Sequence, residues 1–436
     1  MKHIKFHTSV LLITLISLVS CTNFTDNIND DPNKFGSAPA DLLLGNAQLS
    51  MITLSSSQSA RVAGIFTDQF TGSDRQFIPL NSYTTSNGDY DDIWNDLYVE
   101  GATNAYLAIQ ASKEAGNAVL EGVAEINLAL LMGEAAALFG DVPYKEAFSP
   151  AEFPQPAYDS QIDVLNSVQT LLTSGISKVG NTPVSTYGGA RFNSTATWET
   201  IAHSLKARYF LIAKNYPDAL SEAKKGISSS SENLMAAHST NSGSGNLFWQ
   251  FIIEQREGYL TVDGSHLSKL VKGTTPRLLA TPGETQRAAV YFDGTELNTK
   301  TGGVFAEDAD FPIISFIETK LIEAEAAHRT SGDALTPFNV VRTKLATVYN
   351  GIFPATTSSG NTLLNEILEE KYISLIGSLQ VFHDTRRTNN LIGVPIKNPN
   401  TTVLPERFLY ALTELNSNTN IPISLVGQYY ATKVNQ

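Results

Sequence analysis

The chain has 436 residues, with 30 Lys+Arg against 43 Asp+Glu, a formal charge of −13 and a 42% apolar share. Such an acidic surface repels nucleic acid and anionic lipid headgroups. A single cysteine excludes an intramolecular disulfide and a cysteine-built metal site, so stability has to come from a large apolar core.

The amino terminus carries Lys2, His3, Lys5 and His7, then the apolar run from Val10 to Val19, with no acid before residue 21. This is the layout of a secretory signal. The run is too short to span a bilayer, which takes roughly 20 apolar residues. Leu18-Val19-Ser20-Cys21 resembles the lipobox of bacterial lipoproteins. That resemblance implies cleavage before Cys21 and acylation of Cys21, making it the lipid attachment site. Cleavage removes Lys2 and Lys5 and no acid, which takes the formal charge from −13 to −15. With no basic patch, such a protein is held at a membrane by its acyl chains. The expected division is a signal over 1–20, a polar acidic tether over 21–38 and a single domain over 39–436.

Helical periodicity dominates the rest. Helices are expected over 42–54, led by Asp41 as N-cap, and over 93–115. The Ala- and Leu-rich stretch 118–139 is closed by Gly140 and then Pro143, the usual stop order. Further helices are expected over 161–174, 197–215, 217–227, 316–329, 335–348 and 363–376. Two irregular tracts, 228–275 and 276–312, read together as a loop-rich part with at most short strands such as 288–292; loops this long are functional or disordered. Tyr216-Pro217-Asp218-Ala219 has the spacing of a tetratricopeptide unit, and the run from Glu323 to Ala334 reads as the turn between two repeat helices.

Five blocks occur in order: Phe139-Gly140-Asp141-Val142-Pro143-Tyr144; Leu205-Lys206-Ala207-Arg208-Tyr209; Ile367-Leu368-Glu369-Glu370-Lys371; Phe382-His383-Asp384-Thr385-Arg386-Arg387; and Pro405-Glu406-Arg407-Phe408-Leu409-Tyr410 with Glu414 and Asn418. With the lipobox, they resemble the SusD/RagB family of Bacteroidetes outer-membrane lipoproteins over nearly the whole mature chain. Two positions depart from the family pattern: Ala411 follows Tyr410 where proline is common, and Phe382 stands where tryptophan is common.

The resemblance implies a mostly α, SusD-like α-helical fold. In it, four tetratricopeptide-like helix pairs, here about 93–227 and 315–378, support a loop-rich ligand-binding face at about 228–314. It also implies a cell-surface protein that captures glycan or peptide and delivers it to a TonB-dependent, SusC-like outer-membrane transporter. Neither catalysis nor a cofactor is implied. Rival readings are a periplasmic helical-repeat scaffold that binds only protein, and a lipid-anchored glycosidase with a carboxylate pair hidden among many acids.

The residues do not favour an enzyme. His203, His238, His266, His328 and His383 never fall at His-Glu-x-x-His spacing, and no Gly-x-Ser-x-Gly, phosphate-binding or dinucleotide loop occurs. The Glu369-Glu370-Lys371 and Asp384-x-Arg386-Arg387 blocks read as structural ion pairs, as do Arg208 and the Arg407/Glu414 pair. Sugar capture needs aromatic faces and a few placed polar groups. The candidates are Asp74, Arg75, Tyr83 and Tyr90 in the early loop, with Trp249 and Tyr259 in the first tract and Tyr291 in the second. For each aromatic the competing reading is core packing, as expected for Trp94, Tyr98, Trp198 and Tyr209.

Overall fold

A computed structural model describes residues 38–422 and 427–436. The expected signal, Cys21 and all of the tether before residue 38 lie outside the described residues. Ala40–Gln436 forms one unit, and it is mostly α.

Helix α1 (Ala40–Ser56) is followed at once by α2 (Gln58–Phe66), a helix that the periodicity did not announce. Asp41 lies in the first turn of α1 rather than capping it. The expected helix over 93–115 forms in three parts. Asp91–Asn95 is α-helical, Asp96–Ala102 widens to a π-helical run, and α3 (Thr103–Glu114) completes it.

Helix α4 (Ala118–Phe139) is the central beam. Asn117 caps it, its side-chain oxygen accepting from Leu120 N at 3.1 Å. It is long and apolar enough to cross a membrane, but its apolar window is wholly buried in the protein, as in a core helix. A Cβ on Gly133 would lie 2.3 Å from the Tyr209 ring, so glycine there lets a neighbouring helix close on the beam. Helix α5 (Gln161–Val179) packs antiparallel to α4. Its C-terminal Lys178 reaches Glu121 at 2.7 Å and Glu125 at 2.5 Å, near the start of α4.

Two further helix pairs follow. Helix α6 (Trp198–Ile212) turns through Lys214 into α7 (Tyr216–Ala223), and Ala207, Leu211, Ala219 and Ala223 form a small core with Ile322 and Ala326. Helix α8 (Glu284–Tyr291) stands inside the second tract. The run expected as a strand at 288–292 is helical up to Tyr291, and only Phe292 enters a strand. Helix α9 (Phe316–Arg329) turns at Ser331-Gly332-Asp333 into α10 (Leu335–Tyr349), around Leu321, Ala324, Phe338, Val341 and Leu345. Helices α11 (Gly360–Ser374) and α12 (Leu379–Arg387) complete the helical frame. Short antiparallel strands Phe192–Asn193, Leu234–Ala236 and Phe311–Ile314 form a three-stranded sheet beside them.

Buried ion pairs lock these helices. Glu370 receives Arg277 at 3.0 Å, Arg287 at 2.8 Å and Arg342 at 2.5 Å, and Glu369 receives Arg277 at 2.6 Å. Burial alone raises a carboxyl pKa, but the three guanidinium groups outweigh it and hold Glu370 far below the usual range. Arg208 forks onto Glu318 at 2.6 and 2.8 Å, while Glu134 holds His383 at 2.8 Å. Arg387 pairs with Glu325 and, at 2.7 Å, with Asp384, which also takes Lys371 at 2.9 Å. The charged blocks are therefore structural. Arg407 and Glu414 do not pair with each other. Arg407 donates to Phe139 O and lies over the Tyr410 ring, whereas Glu414 accepts from Tyr158 and Asn418, both at 2.9 Å.

Candidate functional site

A cleft of about 640 Å³ opens where α2, the early loop and the central tract meet, with Gln58, Arg61, Phe77, Tyr90, Phe251 and Arg256 among its walls. The early loop is fastened to the central tract by backbone pairing. Thr71–Gly72 runs antiparallel to Leu260–Thr261, and Ser73 N donates to Tyr259 O at 2.9 Å. Gly72 is required here, because a Cβ on it would lie 1.9 Å from Phe77 O. That close turn sets Phe77 against the tract, with its ring 5.2 Å from Phe251 and 5.9 Å from Tyr259.

The cleft has an aromatic floor and a polar rim. Arg61 projects from α2 with its guanidinium 4.0 Å above the Phe251 ring. It is only 9% exposed, and Nε has no hydrogen-bond partner. Burial pushes its pKa down to about 9. Gln58 donates to Asp89 O at 2.8 Å, leaving its own amide oxygen unused by that bond. Asp89 accepts from Ser86 N at 2.7 Å and from Ser86 Oγ at 3.0 Å at the exposed edge. Such a site offers an apolar aromatic floor, largely covered, with amide and guanidinium groups at its walls for oxygen-rich ligands.

The predicted candidates are distributed unevenly about this cleft. Tyr90 lies against the cleft wall but is itself fully buried, with no ring face open to a ligand, and its hydroxyl donates to Thr85 at 3.2 Å. Tyr259 lies behind the wall, packed on Phe77. Asp74 and Arg75 sit next to the wall residue Gln76 and engage each other, the carboxylate accepting Arg75 N at 2.9 Å. Trp249 is half-buried on the short turn Leu247–Trp249, outside the cleft.

Two candidates are core residues instead. Tyr83 is 1% exposed, edge-on to Phe66 at 5.8 Å, and its hydroxyl accepts Lys397 N at 2.9 Å. Burial lifts its pKa to about 12. Tyr291 is equally buried, donating to Ile373 O at 3.2 Å and accepting from Tyr349 at 3.1 Å. Neither leaves a ring face for a ligand. Of the two helix residues expected to pack inside, Trp94 is buried and Tyr98 partly buried against the core, with the rings 4.6 Å apart.

Arg61 and Gln58 escaped the sequence reading. The signal was available: Arg61 is the only basic residue between Lys34 and Arg75, in an apolar helix with no acid three or four residues away.

The SusD-like family, described as "Starch-binding associating with outer membrane", matches residues 32–411. The chain belongs to the SusD-like family. Among curated proteins no sequence matches. Solved structures of similar fold include a SusD/RagB family protein from Bacteroides thetaiotaomicron VPI-5482, with a TM-score of 0.66 at 18% identity over 92% of this chain and 99% of that one. A SusD homologue from Bacteroides fragilis NCTC 9343 gives 0.69 at 17% identity, over 92% and 100%. A chitin-binding SusD homologue from Flavobacterium johnsoniae gives 0.70 at 15% identity, over 90% and 97%. At these identities the matches establish the SusD-like fold.

Proposed function

We propose that the protein is a lipid-anchored, cell-surface SusD-like protein that captures an oligosaccharide in this cleft and passes it to a TonB-dependent, SusC-like outer-membrane transporter. It acts as a binding protein and not as a catalyst. The observation that carries the reading is the cleft itself. Its aromatic floor and amide-rich rim suit sugar rings and hydroxyls, and it draws on both the early loop and the central tract. The family's description as starch-binding and outer-membrane-associated supports glycan capture, as does a chitin-binding protein of the same fold. The Leu18-Val19-Ser20-Cys21 sequence supports the anchor.

A glycan and peptide binding screen on the purified protein tests the capture step. A glycan ligand is expected, and a protein-only binder contradicts the reading. Protease shaving of intact cells tests location. A surface protein is cut and a periplasmic one survives. Replacing Cys21→Ala should release the protein from the membrane. Co-purification with a transporter barrel from detergent extracts tests the delivery step, and its absence from intact outer membranes contradicts it.

A further inference from the structure

Every other buried arginine in the described residues has a partner. Arg208, Arg287, Arg342 and Arg387 meet carboxylates, while Arg386 donates to the carbonyls of Phe382, Glu406 and Ala137, and Arg407 to that of Phe139. Arg61 has none. No carboxylate among the described residues forms an ion pair with it, and its Nε is an orphaned donor. A buried guanidinium with neither a counter-charge nor a hydrogen-bond acceptor costs free energy that folding has no reason to retain. It lines the cleft, resting on Phe251, so that group can be completed by whatever enters.

We propose that the cleft is built for an acidic oligosaccharide, with Arg61 receiving the carboxylate of a uronic-acid unit. This rests on the reading of the cleft as a glycan site. A guanidinium fork matches a planar carboxylate in two parallel hydrogen bonds. The Phe251 ring supports the guanidinium from one side at 4.0 Å, and Phe77 packs beside that ring at the cleft wall. Arg256 on the exposed edge adds a second positive group, while the rim acids Asp89 and Asp92 limit how many negative units fit at once. The cleft therefore selects a chain with a single acidic unit at its floor and neutral or amide-bearing units towards the rim.

The test is a titration of wild type and Arg61→Met with a panel of short oligouronates and with their methyl esters, which keep the shape and remove the charge. Wild type should bind an acid form at least roughly tenfold more tightly than its ester, and Arg61→Met should lose that preference while keeping the weaker ester binding. The variant leaves no partner unpaired, so its melting temperature should be unchanged or higher, which separates lost binding from lost folding. Arg61→Lys, which keeps the charge without the fork, should recover only part of the preference. Acid and ester bound equally by wild type, or a preference for the acid form kept in full by Arg61→Met, overturns the acidic assignment and leaves glycan capture standing. A folded wild type that binds no oligosaccharide, acidic or neutral, overturns both.

Discussion

The guanidinium of Arg61 lies 4.0 Å over the ring of Phe251, so helix α2 and the central tract meet at one cation–aromatic contact on the cleft floor. Phe251 is buried and also packs on Phe77. Phe251→Ala should therefore cost stability by about 3–5 kcal/mol, the usual range for emptying a buried phenylalanine site. Chemical denaturation measures this, and ligand binding should fall with it. Phe251→Tyr keeps the ring and should preserve both.

The tight turn at Gly72 joins the early loop to the tract. Gly72→Ala forces a Cβ against Phe77 O, which cannot be relieved by a side-chain rotation. We expect a loss of about 1–3 kcal/mol. Hydrogen exchange should show the added opening at Thr71–Gly72 and Leu260–Thr261, with the helical frame unaltered.

Burial lifts the Asp96 carboxyl from the ordinary 3.8 to about 6, and Asp92 and Glu100 add to it. The folded chain thus holds this proton more tightly than the unfolded one. Asp96 costs stability once pH rises through 6, and the cost vanishes below the ordinary value. The group is half-exposed, so the effect is screened. Asp96→Asn should raise stability at pH 7.5 by about 1 kcal/mol, with no gain at pH 4, in melts at the two pH values.

Glu325 behaves in the opposite sense. Burial would raise its pKa, but Arg387 first, with Lys371 and Arg329, brings it down to about 2 from an ordinary 4.5. Its contribution is complete above the ordinary value and is lost as pH falls from there through about 2. Glu325→Gln leaves Arg387 with one carboxylate partner fewer and should cost about 3–5 kcal/mol at neutral pH. The difference between variant and wild type should shrink on acid titration below pH 4.

Much of the frame was legible because its signals are local. Helices α4 and α9 run over 118–139 and 316–329 as periodicity and their flanking residues predict, and Ser315 caps α9 by accepting Glu318 N at 3.2 Å. Helix α12 was not legible as a helix because its buried face is charged. His383, Asp384, Arg386 and Arg387 are interior only through distant partners such as Glu134 and Glu325. The 288–292 run has the Val, Tyr and Phe that favour strands, whereas Arg287 on Glu370 and Tyr291 on Ile373 O hold the segment as a helix up to Tyr291. The candidate site was half legible. Its two source segments could be named, but which aromatics face the cleft depends on a tertiary turn at Gly72 and on α2, and neither leaves a periodic trace.

Ligand is expected to enter between the early loop and the central tract. Calorimetric titration of the best oligosaccharide from the screen, compared across wild type, a Gln58→Ala/Gln255→Ala double variant and Trp249→Ala, tests it most directly. Both glutamines line the cleft and Trp249 lies outside it. At least a roughly tenfold loss of affinity is expected in the double variant at nearly unchanged melting temperature, from lost hydrogen bonds to the ligand, and wild-type affinity in Trp249→Ala. Full affinity in the double variant together with loss in Trp249→Ala would contradict it.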